Sequence, residues 1–398
     1  MATLTEVVRQ HGPGYLERHG AAVLPSHVRA IRAISQCRTA ALGGHLAHCD
    51  SCNTRHVLFH SCGHRACPQC GGQRTARWLE QQRGQLLAVK YFHVVFTLPS
   101  ELRRVVRQNQ KALLPLLFRA AFDSLARLCR DPQFLGAEIG ALAVLHTWTR
   151  TLVWHPHVHL LVPGGGLAPD GETWVPAPQR RSPYLVPQAA LAESFKGRFM
   201  ALARKALQQG QMPSVPSKKR WIVFAKPVVV GAEQVLEYFG RYVHKTAIGN
   251  HAVVAADEQS VTFRYTDSRT HQRKLMTLPR DELLRRFLQH VPQKGFHRVR
   301  SFGLLSSAKR PVLRRLQLLL PTGSAATKSS DKDPPEPERF RCPHCGKQTL
   351  VLERRLNAFE CAELALQLAS GLIVTSVGLA SARGPPPTSG SCAEARVA

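Results

Sequence analysis

Long apolar runs are missing from this chain. No segment of its 398 residues reads as a continuous apolar run of the ~20 positions that a membrane-crossing helix needs, which argues against a helical membrane protein. The opening MATLTEVVRQ has neither the basic start nor the apolar centre of a secretion signal. The expectation is therefore a bacterial cytoplasmic protein, and in that compartment clustered cysteines stay reduced and usually bind metal. Acidic residues are also scarce, with 26 Asp and Glu against 54 Lys and Arg, a formal net charge of +28. An excess of that size points to a polyanionic partner and leaves its kind open.

The most informative stretch is 152–166, LVWHPHVHLLVPGGG. Val153, Val158, Leu160, Leu161 and Val162 favour a strand, and Pro163 with Gly164, Gly165 and Gly166 ends it. Side chains alternate along a strand, so His157 and His159 project from one face ~7 Å apart, with His155 one step upstream on that face. Two imidazoles on a rigid strand can hold one divalent metal if other groups complete the shell. Pro156 has no N–H to give to a ladder and predicts an edge strand or a bulge.

A second stretch, GAEQVLEYFGRYVHKTAIGNH (231–251), follows downstream. Ala232, Val235, Leu236, Phe239 and Val243 recur at helical spacing and predict one buried stripe. Tyr238 and Tyr242, four apart, share a face beside that stripe. Two readings stand for them: amphipathic rings covering the edge of a core, or nucleophiles facing a metal that activates a phosphodiester. Arg241, His244 and Lys245 are close in sequence, and such cations can hold phosphate or lower a phenol's pKa.

Cysteines carry a third signal. Cys49-x2-Cys52 and Cys67-x2-Cys70 are two knuckles 14 residues apart, the spacing of a structural zinc site with four thiolates. Those four are the preferred ligands. Cys62 and His64 lie between them and either replace a pair or pack beside the site. Near the other end, Cys342-Pro-His-Cys345-Gly is one knuckle with no evident second pair, so it is an empty half-site, one completed by another chain, or an intact site.

His-Val-His on a strand followed by a helix with Tyr-x3-Tyr resembles the two-tyrosine HUH nucleases. SCGHRACPQC (61–70), YFHVVFTLPSELR (91–103), HTWTRTLVWHPHVHLLVPGGG (146–166), YFGRYVHKTAIGNHAV (238–253) and the stretch 261–305 narrow the likeness to one branch. That branch is the transposases of rolling-circle insertion sequences, of the insertion-sequence-91 type. The resemblance implies an α+β fold: an antiparallel sheet of about five strands flanked by helices, with a helical segment and a small zinc ribbon in front. It implies that His157 and His159 hold Mg²⁺ or Mn²⁺, and that Tyr238 or Tyr242 attacks DNA to leave a 5′-phosphotyrosine link. Single-stranded or hairpin DNA at the element's ends, and target DNA, would be the partners, at the nucleoid. His93, on a strand that the fold sets beside the histidine strand, is a candidate third ligand or a core histidine.

The chain then divides into helices over 1–45, the zinc ribbon over 46–88, the nuclease over 89–300, a basic segment and linker over 301–340, and a knuckle-bearing tail, partly disordered, over 341–398. Further expectations are a helix over 101–130 that Pro115 kinks or divides, a loop over 167–190, an edge or bulge at Pro227, and a hairpin over 252–278. Two rival functions remain at this stage: a non-catalytic zinc-ribbon DNA-binding protein, and a metal-dependent nuclease with no covalent intermediate.

Overall fold

The computed structural model describes residues 2–177, 185–207, 212–213, 215–216, 218–228, 240, 243, 247–267, 269–320, 340–369 and 375–378, less the side chains at 73, 74, 83, 365, 368, 369 and 375–378. Two helices open the chain, α1 (Leu4–His19) and α2 (Pro25–Ser35). The first begins with a capping box, in which Thr3 and Glu6 side chains each accept from the other's backbone N–H. A hairpin of β1 (Gly44–Cys49) and β2 (Arg55–Phe59) leads to α3 (Gly71–Arg83) and β3 (Tyr91–Thr97). Helices α4 (Arg103–Gln108) and α5 (Gln110–Arg130) precede the long strands β4 (Gly140–Trp148) and β5 (Trp154–Pro163). A short pair follows, β6 (Gly165–Leu167) and β7 (Trp174–Pro176), then α6 (Gln188–Ala206) and β8 (Ile222–Val228). After these come β9 (Val253–Ala256), β10 (Ser260–Thr266), β11 (Arg273–Pro279), α7 (Arg280–Leu288), β12 (Val299–Gly303) and α8 (Arg310–Leu319). Strand β13 (Leu350–Leu356), α9 (Ala358–Ala369) and β14 (Thr375–Gly378) complete the described elements.

Five strands form an antiparallel sheet in the order β12-β4-β5-β3-β8, so the fold is α+β as the resemblance implied. One face is a full hydrophobic core. Phe92, Val94 and Phe96 of β3, Ala141, Ala143 and Leu145 of β4, and Val158, Leu160 and Val162 of β5 meet Leu117, Phe118 and Leu125 of α5. Phe195 and Phe199 of α6 close the same layer. The opposite face is apolar over one half only, where Tyr91, Leu142, Val144 and Leu161 pack with Val243, Leu305 and Leu316. Its other half carries the histidines.

Proline positions sort as their missing N–H requires. Strand β5 is central, not an edge, and Pro156 sits in a bulge: between the pairs His146↔His157 and Trp148↔Trp154, residues 155 and 156 face Thr147 alone. Pro227 lies on β8, the outermost strand. The long helix over 101–130 is interrupted at Asn109 (φ −116°, ψ 39°) and not at Pro115, because the Asn109 amide bonds the Val105 carbonyl in competition with the helix. Within the expected loop 167–190, β7 folds back on β6.

The expected domain boundaries do not follow the packing. Leu4, Val7, Ile31 and Ile34 of the first two helices share one core with Val261 and Phe263 of β10 and Leu284 and Phe287 of α7. Thr5 bonds Asn250, and Arg18 pairs with Asp281 at 2.7 Å. At the other end β13 pairs with β1 in a sheet of order β13-β1-β2-β14, so part of the presumed tail belongs to the ribbon. Among the described residues no helix is long and apolar enough to cross a membrane.

Phe118 tests the main layer. It is fully buried, near the rings of Phe296 and Phe302 and 4.8 Å from the Arg300 guanidinium. Phe118→Ala should cost about 3–5 kcal/mol of unfolding free energy in denaturant titration, and a loss under ~1 kcal/mol would contradict this packing.

Candidate metal centre and basic cleft

The centre is built by strand register. Hairpin pairing of β4 with β5 sets His146 directly across from His157, and alternation brings His159 onto the same face. Ring centroids lie 5.5 Å apart for His146 and His157, 4.5 Å for His146 and His159, and 4.9 Å for His157 and His159. One nitrogen from each of the three falls within 4.8 Å of the other two. His146 is the ligand-type residue that sequence reasoning missed. Counting outward from Trp148 and Trp154 would set it opposite Pro156, and only the bulge moves it to His157.

Neighbouring groups orient these rings. His157 Nδ1 bonds the His155 carbonyl at 2.7 Å and His159 Nδ1 meets His93 Nε2 at 2.8 Å. His93 therefore backs His159 and is not one of the three converging groups. Nor is His155, whose Nδ1 accepts from the Arg103 guanidinium at 2.7 Å. Burial holds His157 and His93 down to about 4, and burial with the His157 and Arg103 charges does the same for His155. Neutral imidazoles at ordinary pH are what a metal needs. The donor set fits a divalent ion, and among the described residues it contains no carboxylate.

The bulge is held from behind. Trp148 stacks on His146 at 4.4 Å and lies beneath Arg298 at 5.0 Å. His290, stacked on Trp154, bonds Thr147 Oγ1 and the Leu152 carbonyl, both at 3.1 Å. Burial pushes His290 down to about 3.

In front of the three histidines opens a cleft of about 1330 Å³. Its walls include Thr75 and Leu79 of α3, Asn250 and His251, and Tyr265 of β10. Arg150, Arg264 and Arg273 line it, and among the described residues no Asp or Glu does. Gly240 also lines it, near enough to α3 that a Cβ would meet Leu79 at 3.1 Å. Tyr238, Tyr242 and Lys245 lie outside the described residues.

The cysteines regroup. Cys49, Cys52, Cys67 and Cys70 do not converge as expected. Cys67 and Cys70 meet Cys37 and Cys62, with sulfurs 3.6–3.8 Å apart, and Cys49 and Cys52 meet Cys342 and Cys345 at 3.6 and 3.7 Å. Spacing alone paired the nearest knuckles, whereas the chain brings Cys37 to one and the distant knuckle to the other. His64 stays outside, accepting from the Ala66 N–H at 3.2 Å.

Comparison with known proteins supplies the family. Residues 7–98 match the family described as "Transposase zinc-binding domain", of the insertion-sequence-91 type, and residues 140–311 match the one described as "Putative transposase". The chain is 40% identical over 326 residues to the protein named "Putative transposase y4qJ" of Sinorhizobium fredii, covering 77% of this chain and 81% of that one. It is 31% identical over 293 residues to the "Transposase for insertion sequence element IS801" of Pseudomonas savastanoi pv. phaseolicola, covering 70% of each. The chain belongs to the insertion-sequence-91 family of transposases.

No solved structure matches the transposase chain. Its zinc-binding domain accounts for the cluster of Cys37, Cys62, Cys67 and Cys70, and a transposase's DNA substrate fits the charge excess that composition left unassigned. The cleft that holds the three imidazoles has the matching sign.

The buried imidazoles make the transposase acid-sensitive before its carboxylates titrate. In the unfolded chain His takes a proton near 6.5, but folded His93, His155 and His157 do so only at about 4, and His290 only at about 3. Protons therefore bind the unfolded state first, and stability present above about pH 6.5 is lost as pH falls toward 4. Denaturant titrations between pH 7.5 and 5.5 should show declining stability, by at most ~1.4 kcal/mol per pH unit for each such histidine. His290→Gln should flatten the slope, and an unchanged slope would refute the assignment.

Proposed function

We propose that this transposase nicks single-stranded or hairpin DNA at the ends of its element and rejoins it to a target through a 5′-phosphotyrosine intermediate, in the rolling-circle manner. The reading rests above all on one observation: the cleft that receives His146, His157 and His159 is also lined by Gly240, which stands between Tyr238 and Tyr242 in the sequence.

In this reading His146, His157 and His159 hold Mn²⁺ or Mg²⁺, with His93 fixing the orientation of His159. An all-imidazole set favours Mn²⁺ over Mg²⁺. The bound ion would polarise the scissile phosphate and align it for in-line attack. One phenolate, from Tyr238 or Tyr242, attacks phosphorus. A P–O bond to tyrosine forms, the P–O3′ bond breaks, and the departing oxygen takes a proton to become a free 3′-OH. Reversal, with a 3′-OH from another strand as nucleophile, releases the tyrosine, so the bond energy is conserved and no ATP is needed. The second tyrosine cuts another strand while the first is still attached. Arg150, Arg264 and Arg273 would hold the DNA backbone, and Tyr265 would offer a face on which a base stacks. Lys245 would join the phosphate-binding cations. The work would be done at the bacterial nucleoid.

End-labelled single-stranded DNA from the element's ends, incubated with the transposase and Mn²⁺, should give a slow band on a denaturing gel. That adduct should disappear with Tyr238→Phe plus Tyr242→Phe, and His146→Ala should lower cleavage ~100-fold or more. Cleavage that yields only free ends would replace this reading with a nuclease lacking a covalent step. DNA processing untouched by the tyrosine changes would leave a DNA-binding role.

A further inference from the structure

The matched zinc-binding domain ends at residue 98, yet half of one four-cysteine cluster comes from residues 342 and 345. We propose that the chain binds two zinc ions, and that the second, held by Cys49, Cys52, Cys342 and Cys345, is a clasp joining residues 340–369 to the N-terminal hairpin.

The two halves of the clasp are copies of one another in geometry. In each Cys-x2-Cys turn the residue after the second cysteine is left-handed, Asn53 at φ 54° and Gly346 at φ 73°. Each donates its N–H to the carbonyl of the first cysteine, at 2.8 Å to Cys49 and 2.9 Å to Cys342. Zinc–sulfur bonds of about 2.3 Å place tetrahedral sulfurs about 3.8 Å apart, and the cross-pairs measure 3.6 Å for Cys49 with Cys345 and 3.7 Å for Cys52 with Cys342. A disulfide would need sulfurs about 2.05 Å apart. Thr349 Oγ1 lies 3.1 Å from the Cys49 sulfur, and the fully buried His56 places Nε2 3.4 Å from that of Cys342. Four thiolates leave no open position, so the site is structural.

The surrounding strands agree. Strand β13 runs antiparallel to β1 from Gly44↔Leu356 to Cys49↔Leu350, and the Asp50 N–H bonds the Thr349 carbonyl. The apolar contacts are few: Leu350 and Cys342 with Ala47 and Leu58, then Leu356 and Cys361 with Val57 and Phe59. Only the two end residues of β13 are buried. A sheet with so little core needs a metal to hold it. Cys52 and Cys342 are 290 residues apart, and the whole five-stranded sheet lies between them. The catalytic sheet is therefore an insertion within the ribbon.

The test uses the full chain with cobalt(II) in place of zinc, reading the thiolate-to-cobalt charge-transfer absorbance, to which a histidine site does not contribute. Cys342→Ser with Cys345→Ser should halve that absorbance, Cys67→Ser with Cys70→Ser should halve it too, and all four changes together should abolish it. The half remaining in the first variant reports that the other site is still folded. Hydrogen exchange should accelerate at 350–356 in that variant and stay slow at 158–162. Full absorbance in the first variant, its complete loss, or a wild-type dimer that becomes monomeric only when the knuckle is removed would each overturn the intrachain clasp.

Discussion

The site depends on the pairing of β4 with β5. Because residues 155 and 156 bulge against Thr147, the strands remain in register on the sheet side and His146 faces His157 across a cross-strand pair. A one-residue slip in that ladder would send His146 to the helix-covered face, where Leu145 and Ala143 belong. The stack of Trp148 on His146 and the bonds of His290 to Thr147 and Leu152 secure the bulge where strand pairing is weakest. The placing of the three imidazoles is therefore settled by a backbone irregularity, and the surrounding aromatic and imidazole contacts keep that irregularity in place.

Sheet and cleft divide the energetic tasks. The face toward α5 and α6 is packed with Phe, Leu and Val and supplies a rigid platform. The other face is left half open, and arginines surround the opening without a carboxylate among the described lining residues. Such a cleft has the charge that suits a polyanion. Helices α1 and α2 contribute by packing on β10 and α7, so the N-terminal segment braces the wall that carries Arg264 and Tyr265. Among the described residues three metal-type clusters occur at different scales: one between adjacent strands, one within residues 37–70, and one between segments almost 300 residues apart.

Much of this was legible beforehand because local rules set it. Alternation placed His157 and His159 on one face, and proline's missing N–H marked the bulge at 156 and the edge at 227. Asp257 and Asp267 close the turns of the 252–278 hairpin through their own side-chain oxygens, as turn chemistry leads one to expect. Motif order carried the family and its fold. What escaped was long-range pairing. Cys37, the distant Cys342-x2-Cys345 knuckle and His146 each complete a set whose other members stand elsewhere in the chain, and spacing cannot rank partners that only strand register brings together.

The amino-acid sequence by itself determined the chemistry available: a basic chain for a polyanion, reduced cysteines in knuckles, and imidazoles on an alternating strand. Tertiary structure alone decided how these were combined. Ligand sets are defined by distances of a few ångströms, and such distances depend on which strands pair and where a bulge shifts them. Local periodicity holds no record of either.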